Sequence, residues 1–414
     1  MARLLLVEPE ATGHRMVLYV RLIAQEALRR GWKVTLTTTE SALAHSATQA
    51  VMSASASGLG VIKMPEIPRE NRYGKLKLLR GQHAYLRAFE QAYQTYSKTN
   101  AVDFVYVPYF NYIDKIVGLR GSPFGATPFG GMILAAKFHH HACGIAGSRD
   151  KMDVVNRMLF RRLLSVRAMA VATTIDEPLQ KYVAQNMPAL APRLRYVPDV
   201  SFIGKPAQRQ AARQALGLED DHFVIASYGS LSPRKGLARL LSMFSAVDIP
   251  AHFRLVLAGA QDAEAARLIQ TFKSEIGARW SQVVELNRFC TEQEEGWAFA
   301  AADAMWLCYE NFSGMSGVLI QSAQAGVPVI TSNYGLIEHN RQKHSLGLRW
   351  DDFLLAPPPA PRFDWAKLEA MVHSIKGSSS LGQFALQHSP KNFGCNVMDA
   401  IEHVHQVRDT HDYR

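Results

Sequence analysis

The feature that most constrains this chain is an alternation, kept up along most of its length, of short apolar runs rich in branched residues with amphipathic segments of helical length. Leu4–Val7 and Val34–Thr39 flank a segment with Val17, Val20, Leu22, Ile23 and Leu28 on a helical period, closed by Gly31. That is one strand–helix–strand unit. Phe104–Val107, Met132–Ala136, Met169–Thr173, Val224–Tyr228, Phe253–Ala258, Val283–Leu286, Ala304–Cys308 and Val327–Thr331 read as further buried strands. The pattern predicts an α/β chain with parallel, doubly wound sheets and helices on both faces. Pro188, Pro192, Pro198 and Pro206 punctuate a stretch without period, and the pattern restarts at Phe223. The break at 187–210 divides the chain into two Rossmann-like domains expected to face a central cleft. Their spans are 1–200 and 201–385, with a helix in 386–414 expected to pack back on the first.

Composition narrows the functional classes. No apolar run approaches the ~18 residues of a membrane span. The N-terminal run meets Glu8 and Glu10 at once, so it reads as a strand rather than a signal peptide. Cys143, Cys290, Cys308 and Cys395 have no metal spacing, which fits a reducing cytoplasm. Residues 1–200 carry 26 Lys and Arg against 14 Asp and Glu, whereas the rest carry 20 against 22. The first half is therefore expected to face something anionic. Two basic stretches interleaved with apolar residues stand out: 69–87, with Arg69, Arg72, Lys75, Lys77, Arg80 and Arg87, and 156–164, with Arg157, Arg161 and Arg162. They predict peripheral contact with an anionic membrane, on the inner face of the membrane for a cytoplasmic protein. Nothing resembles a nucleic-acid-binding module, so no nucleic acid is expected as a partner.

The segment most informative about chemistry is Tyr228-Gly229-Ser230-Leu231-Ser232-Pro233-Arg234-Lys235-Gly236. A strand ending in small residues, a polar loop and a Lys at a helix start bring free amides and a cation to one point, which suits an anion. A second segment, Asn311-Phe312-Ser313-Gly314-Met315-Ser316-Gly317-Val318, opens a helix running through Gln321 to Gly326-Val327-Pro328-Val329-Ile330. Its glycines let a ligand approach the backbone, and its amides can receive a phosphate.

Together these segments resemble the donor-binding domain of retaining GT-B glycosyltransferases of family 4. That pattern has a Gly-Arg-x-x-x-x-Lys-Gly loop, then Glu-x7-Glu leading into Ala-x-x-x-Gly-x-Pro-Val-Ile. Lys235 stands at the family lysine, Gly229 and Gly236 match, and Gly326, Pro328, Val329 and Ile330 are in register. Ser230 stands at the arginine, Ser313 at the first glutamate and Gln321 at the second. The resemblance implies a nucleoside diphosphate sugar as donor substrate and a glycan, lipid-linked or small-molecule acceptor on the first domain, with no cofactor and no metal. It assigns catalysis to Lys235, Ser230 and a histidine beside the donor sugar, His139. Donor contacts fall to Gly13, Gly229, Arg288, Ser313, Gly314, Met315, Ser316, Gly317, Val318 and Gln321. Tyr106, Tyr109 and the loop Gly121–Gly131 would line the acceptor side.

Three charged positions are neutral here, and that leaves rival readings. One is a catalytically silent GT-B scaffold. Another is an inverting enzyme with His14 as base, oriented by Glu10 or Asp114. Sugar-nucleotide epimerases share the architecture. The run His139-His140-His141 invites a metal, but in extended chain adjacent side chains diverge and no acidic partner follows at ligand spacing, so a metal is not expected.

Overall fold

In a computed structural model of the chain, residues 1–13, 15–54, 58–68, 77–147, 149–357 and 361–411 are described. The chain divides into two compact units. The first comprises Met1–Gly144, Arg149–Asp199 and Pro390–Arg414; the second comprises Ile145–Ser148 and Val200–Ser389.

The first unit holds a seven-stranded sheet: β1 (Arg3–Val7), β2 (Lys33–Thr39), β3 (Leu59–Met64), β4 (Phe104–Val107), β5 (Phe129–Ile133), β6 (Met169–Thr174) and β7 (Leu194–Tyr196). Every pairing in it is parallel, in the order β3-β2-β1-β4-β5-β6-β7. Burial on both faces explains why the inner strands are continuous apolar runs; no residue of β4 is more than 1% exposed.

The second unit repeats the plan with β8 (Phe223–Tyr228), β9 (Phe253–Ala258), β10 (Val283–Leu286), β11 (Ala304–Leu307), β12 (Val329–Thr331) and β13 (Gly347–Arg349). The order is β10-β9-β8-β11-β12-β13. In each sheet the order reverses at the first strand, between β1 and β4 and between β8 and β11. Chain connections leave such a point in opposite directions, which opens a crevice beyond the carboxyl ends of the strands.

Several elements differ from the sequence reading. β5 begins three residues before Met132 because Gly130 and Gly131 are strand residues; a Cβ on Gly130 would lie 2.4 Å from Val171 O, so glycine there marks a close backbone approach. The loop before β5 therefore lies at the amino end of the sheet, away from any ligand crevice, and its Phe124 is fully buried. β7 forms inside the stretch expected to be a linker. The last helix starts at Pro390, not Asn396. It packs on Arg21–Arg29: Phe393 stacks on Tyr19 at 5.1 Å, and Arg30 bridges to Asp399 at 2.7 Å and Glu402 at 2.6 Å.

At the amino end of the second sheet, Asp303 collects four donors. Its Oδ1 accepts from Arg209 at 2.7 Å and from Lys376, and its Oδ2 from Arg213 at 2.8 Å and the Val224 amide at 2.8 Å. Arg213 is 1% exposed and also donates to the carbonyls of Glu219, Asp220 and His222. Burial pushes the Asp303 carboxyl up, but Lys376, the Val224 amide and Arg209 outweigh it and hold the group below the usual carboxylate range.

Candidate functional site

The crevice of the second unit lies between the loops that follow β8 and β11. After β8, Gly229 takes φ +96°, and the Lys235 Nζ sits 3.1 Å from where its Cβ would be. A side chain at 229 would thus meet the ammonium as well as being strained. Pro233–Lys235 make one tight turn, and Gly236 closes it at φ +69° against Cys308 O, 2.1 Å from a Cβ placed there. Lys235 is 7% exposed; its Nζ donates to Tyr228 O at 2.6 Å and Tyr309 Oη at 2.9 Å. One partner ends β8 and the other follows β11, so the ammonium bridges the two sides of the switch point. Ser230 is exposed. The guanidinium of Arg234, next to Lys235 in the chain, lies over the ring of Phe312 in the segment after β11, at 4.8 Å.

After β11, Asn311 adopts φ +53° and turns the chain toward the helix Gly317–Gln324. Ser316 is its N-cap residue and caps no amide with its side chain, so the amides opening this helix carry the partial positive charge of an anion site. Ser313 is 6% exposed and its carbonyl accepts from Leu336 N. Gln321 Nε2 donates to Glu295 Oε1 at 2.7 Å and to Phe202 O at 3.1 Å, leaving its carbonyl oxygen to accept from a ligand. Glu295 also receives Tyr228 Oη at 2.8 Å and Gly204 N at 3.2 Å. A carboxylate thus lies beside Gln321, the residue that stands at the second glutamate of the pattern this segment resembles. The sequence offered little sign of it, because Glu295 sits in an acidic first helical turn (Glu292, Glu294, Glu295) that reads as a solvated cap.

Other donor positions are placed differently. Arg288 pairs with Glu294 rather than standing free. Phe289, three residues beyond the carboxyl end of β10, is 92% exposed. A pocket of about 370 Å³ lined by Ile203, Ala207, Arg209, Gly296 and Lys376 includes none of Gly229, Lys235 or Gln321, so its volume does not mark the crevice chemistry.

In the first unit the crevice between β1 and β4 holds a second cluster. Glu8 is fully buried; it accepts from Tyr112 Oη at 2.7 Å and the Glu10 amide at 3.0 Å, while its Oε2 has no partner among the described residues. Glu10 accepts from Arg15 at 2.9 Å and Tyr85 Oη at 2.7 Å. The Arg15 guanidinium lies over the rings of Tyr109 and Tyr112 at 4.7 and 5.3 Å. Gly13 takes φ +74° in open space beside this cluster; His14 lies outside the described residues. Asp114, the other group proposed to orient it, is engaged by Asn111 and Gln82. Tyr106 does not line the crevice: it is fully buried, with its hydroxyl on Thr173 at 2.6 Å.

Burial drives the Glu8 carboxyl up to about 8, against the opposing pull of Tyr112 and Arg15. A carboxyl held above its unfolded value, ~4.3, binds its proton more tightly in the folded state. The stability it confers is complete below pH ~4.3 and is lost as pH rises through about 8. Glu8→Gln keeps an acceptor for Tyr112 without a titrating proton. Its melting temperature should therefore fall less between pH 5 and 8 than that of the unaltered protein, as followed by circular dichroism; parallel curves would contradict a neutral Glu8.

The histidine run is not extended. Residues 138–140 form a turn that runs into the 3-10 segment His141–Cys143, so His139 and His140 both point toward Asp176. Their Nε2 atoms lie 2.9 and 3.3 Å from its Oδ2. An acidic partner does exist, then, 36 residues beyond His140. His139 is 0% exposed, so no ring nitrogen faces solvent. Burial raises the Asp176 carboxyl, but the two imidazoles outweigh it and hold it down at about 2.

Comparison with known proteins accords with this architecture. Residues 222–361 match the family model "Glycosyl transferases group 1". No curated protein matches the chain in sequence. Among solved structures, HepE from Anabaena in complex with UDP superposes with a TM-score of 0.64 at 15% identity, over 97% of this chain and 100% of that one. Sucrose-phosphate synthase from Thermosynechococcus elongatus gives 0.61 at 15% identity over 100% of both. WaaG, a glycosyltransferase involved in lipopolysaccharide biosynthesis, gives 0.52 at 15% identity over 94% and 95%. Two parallel Rossmann-like sheets with these neighbours, and a group 1 match across the second, make the chain a GT-B fold protein carrying a Glycosyl transferases group 1 segment.

Proposed function

We propose that the chain is a glycosyltransferase that takes its sugar from a nucleoside diphosphate. The observation that carries this reading is the bridge made by Lys235 between Tyr228 and Tyr309 at the β8/β11 switch point, in the same unit as the uncapped amides that open the helix Gly317–Gln324 after β11. A cation and a helix N-terminus after adjacent strands suit a diphosphate whose charge grows as the sugar departs. Gln321 and Glu295 would receive the ribose hydroxyls. The HepE complexes with UDP and UDP-glucose support a uridine nucleotide as first choice. The acceptor would sit at the Glu10–Arg15–Tyr109 cluster. We infer retention, with a donor phosphate oxygen taking the acceptor proton, from the resemblance of the Lys235 loop and of the segment 311–330 to the retaining pattern.

Calorimetry with UDP and other nucleoside diphosphates should show binding, since the amides at 314–318 do not depend on the glutamates replaced by Ser313 and Gln321. NMR of the product should show the donor's anomeric configuration kept. No binding by a folded protein would favour the scaffold reading, for which Ser230 at the arginine position is the motive; an inverted anomer would favour a first-unit base.

A glycan or lipid-linked acceptor is favoured by the surface of the first unit. On the helix Asp153–Ser165, Val154 is 67% and Met158 46% exposed beside exposed Arg157, Arg161 and Arg162. Leu119, 45% exposed, lies on the helix Asp114–Arg120, whose Gly118 abuts Leu159 O. Apolar residues set among arginines suit a peripheral contact with anionic lipid. Arg69, Arg72 and Lys75 lie outside the described residues, as does the side chain of Lys77. Each cation near an anionic surface contributes ~1 kcal/mol. The triple change of Arg157, Arg161 and Arg162 to Gln should abolish co-sedimentation with anionic vesicles, as should ~1 M salt, which cuts the Debye length to ~3 Å. Equal sedimentation with neutral vesicles would assign the charge elsewhere. No helix among the described residues is long and apolar enough to cross a membrane.

A further inference from the structure

We propose that His139, His140 and Asp176 form a binding site for a zinc-class divalent ion, enclosed within the first unit, whereas the Lys235 loop and the helix Gly317–Gln324 belong to the second. The three side chains are delivered by neighbouring strands. β5 and β6 pair in parallel, with Ile133 opposite Thr174, so the turn after one strand and the helix start after the other leave the same end of the sheet. Asp176 is the N-cap of the helix Glu177–Asn186, and its Oδ1 accepts from Leu179 N at 3.0 Å. Its own amide donates to Thr174 Oγ1, whose hydroxyl donates to Ile133 O. These contacts fix the carboxylate and turn its other oxygen, Oδ2, toward the imidazoles, as the outer partners of a metal ligand do.

Three observations point to an ion rather than to a hydrogen-bonded cluster. First, neither ring nitrogen of His139 makes a hydrogen bond among the described residues, although the side chain is 0% exposed. Its Nε2 lies 2.9 Å from Oδ2 but off the line an N–H donor would need. A buried polar group left in that state calls for a missing partner. Second, the spacing fits. Ligands ~2.0–2.1 Å from a tetrahedral centre lie ~3.3 Å apart; the Nε2–Oδ2 separations are 2.9 and 3.3 Å, and all three ligand atoms fall within 4.8 Å of one another. Third, two imidazoles with one carboxylate select zinc-like ions over magnesium or calcium, which prefer all-oxygen sites. The Cys143 thiol is turned to Pro178 O at 3.6 Å and is not counted among the ligands. With His140 and Asp176 each 5% exposed, the ion would be taken up as the unit folds. It would fasten the turn after β5 to the helix after β6, and no step of transfer passes through it.

The test uses the full chain, prepared in metal-free buffer and titrated with Zn²⁺ against a chromophoric chelator, and separately with Co²⁺ in the visible. One equivalent should bind with a Kd tighter than ~0.1 μM, the weak edge of structural zinc sites, with the intense visible bands of tetrahedral cobalt and a rise in melting temperature. His140→Gln and Asp176→Asn should each weaken Zn²⁺ at least ~100-fold. Asparagine still caps the helix at Leu179 N, so Asp176→Asn separates lost binding from lost folding; circular dichroism verifies the fold of both variants. Less than a tenth of an equivalent bound, weak octahedral cobalt bands, or unchanged affinity in both variants would each overturn the proposal.

Discussion

Replacing Lys235 with alanine should lower turnover by ~10²-fold or more, with a smaller change in donor affinity. On the function proposed above, the leaving diphosphate gains charge as the sugar–phosphate bond breaks, so a fixed cation beside it would stabilise the transition state more than the bound donor. In this chain that cation has little help. Ser230 replaces the arginine that accompanies it in the family pattern, and Arg234 is occupied over Phe312. Loss of the ammonium also leaves the Tyr228 carbonyl and the Tyr309 hydroxyl without their donor, at a cost of about 1–3 kcal/mol. The measurement is kcat and donor KM for Lys235→Ala and Lys235→Arg, alongside melting temperatures. Near-normal kcat in a folded Lys235→Ala protein would remove Lys235 from the diphosphate site.

The largest effect on stability is expected at the other end of the same sheet. Asp303→Ala strips the common anion from Arg209, Arg213 and Lys376. Arg213 cannot turn to water, because it is 1% exposed and held by three backbone carbonyls. Breaking such a pair by removing one partner costs about 3–5 kcal/mol. At ~2–4 °C per kcal/mol for a unit of this size, melting should fall by roughly 6–20 °C. Asp303→Asn should recover part of this through the Val224 amide. A shift of only a degree or two for the alanine variant would mean that the three cations find other partners. Because Asp303 touches none of the crevice residues, donor binding measured well below the melting range should persist.

The contrast between those two ends also shows what was legible from sequence. The inner strands announce themselves, since burial on both faces demands unbroken apolar runs such as Phe253–Ala258. The strands that escaped notice, β3, β7 and β13, are all sheet edges. β7 and β13 have three residues each, and β3 is largely half-exposed; pairing on one side needs less apolar sequence. The Lys235 loop was legible because its turn, its cation and its glycines are adjacent in the chain. Glu295 and Asp176 were not. Each is a carboxylate in or capping a first helical turn, a local role sufficient to account for it, and its second role exists only through tertiary contacts with Gln321 or with His139 and His140.

The return of Pro390–His411 to the first unit has a consequence for synthesis. The 190 residues from Val200 to Ser389 are made between Asp199 and the helix that covers Tyr19 and Arg30. At ~5–20 residues per second on the ribosome, the first unit waits ~10–40 s with that helical face bare, while the second unit emerges as one nearly continuous stretch of chain. The N-terminal unit, although made first, is then the last to be completed. A nascent chain stalled before residue 390 would present a finished second unit tethered to an unfinished first one, which gives chaperones a defined interval in which to bind.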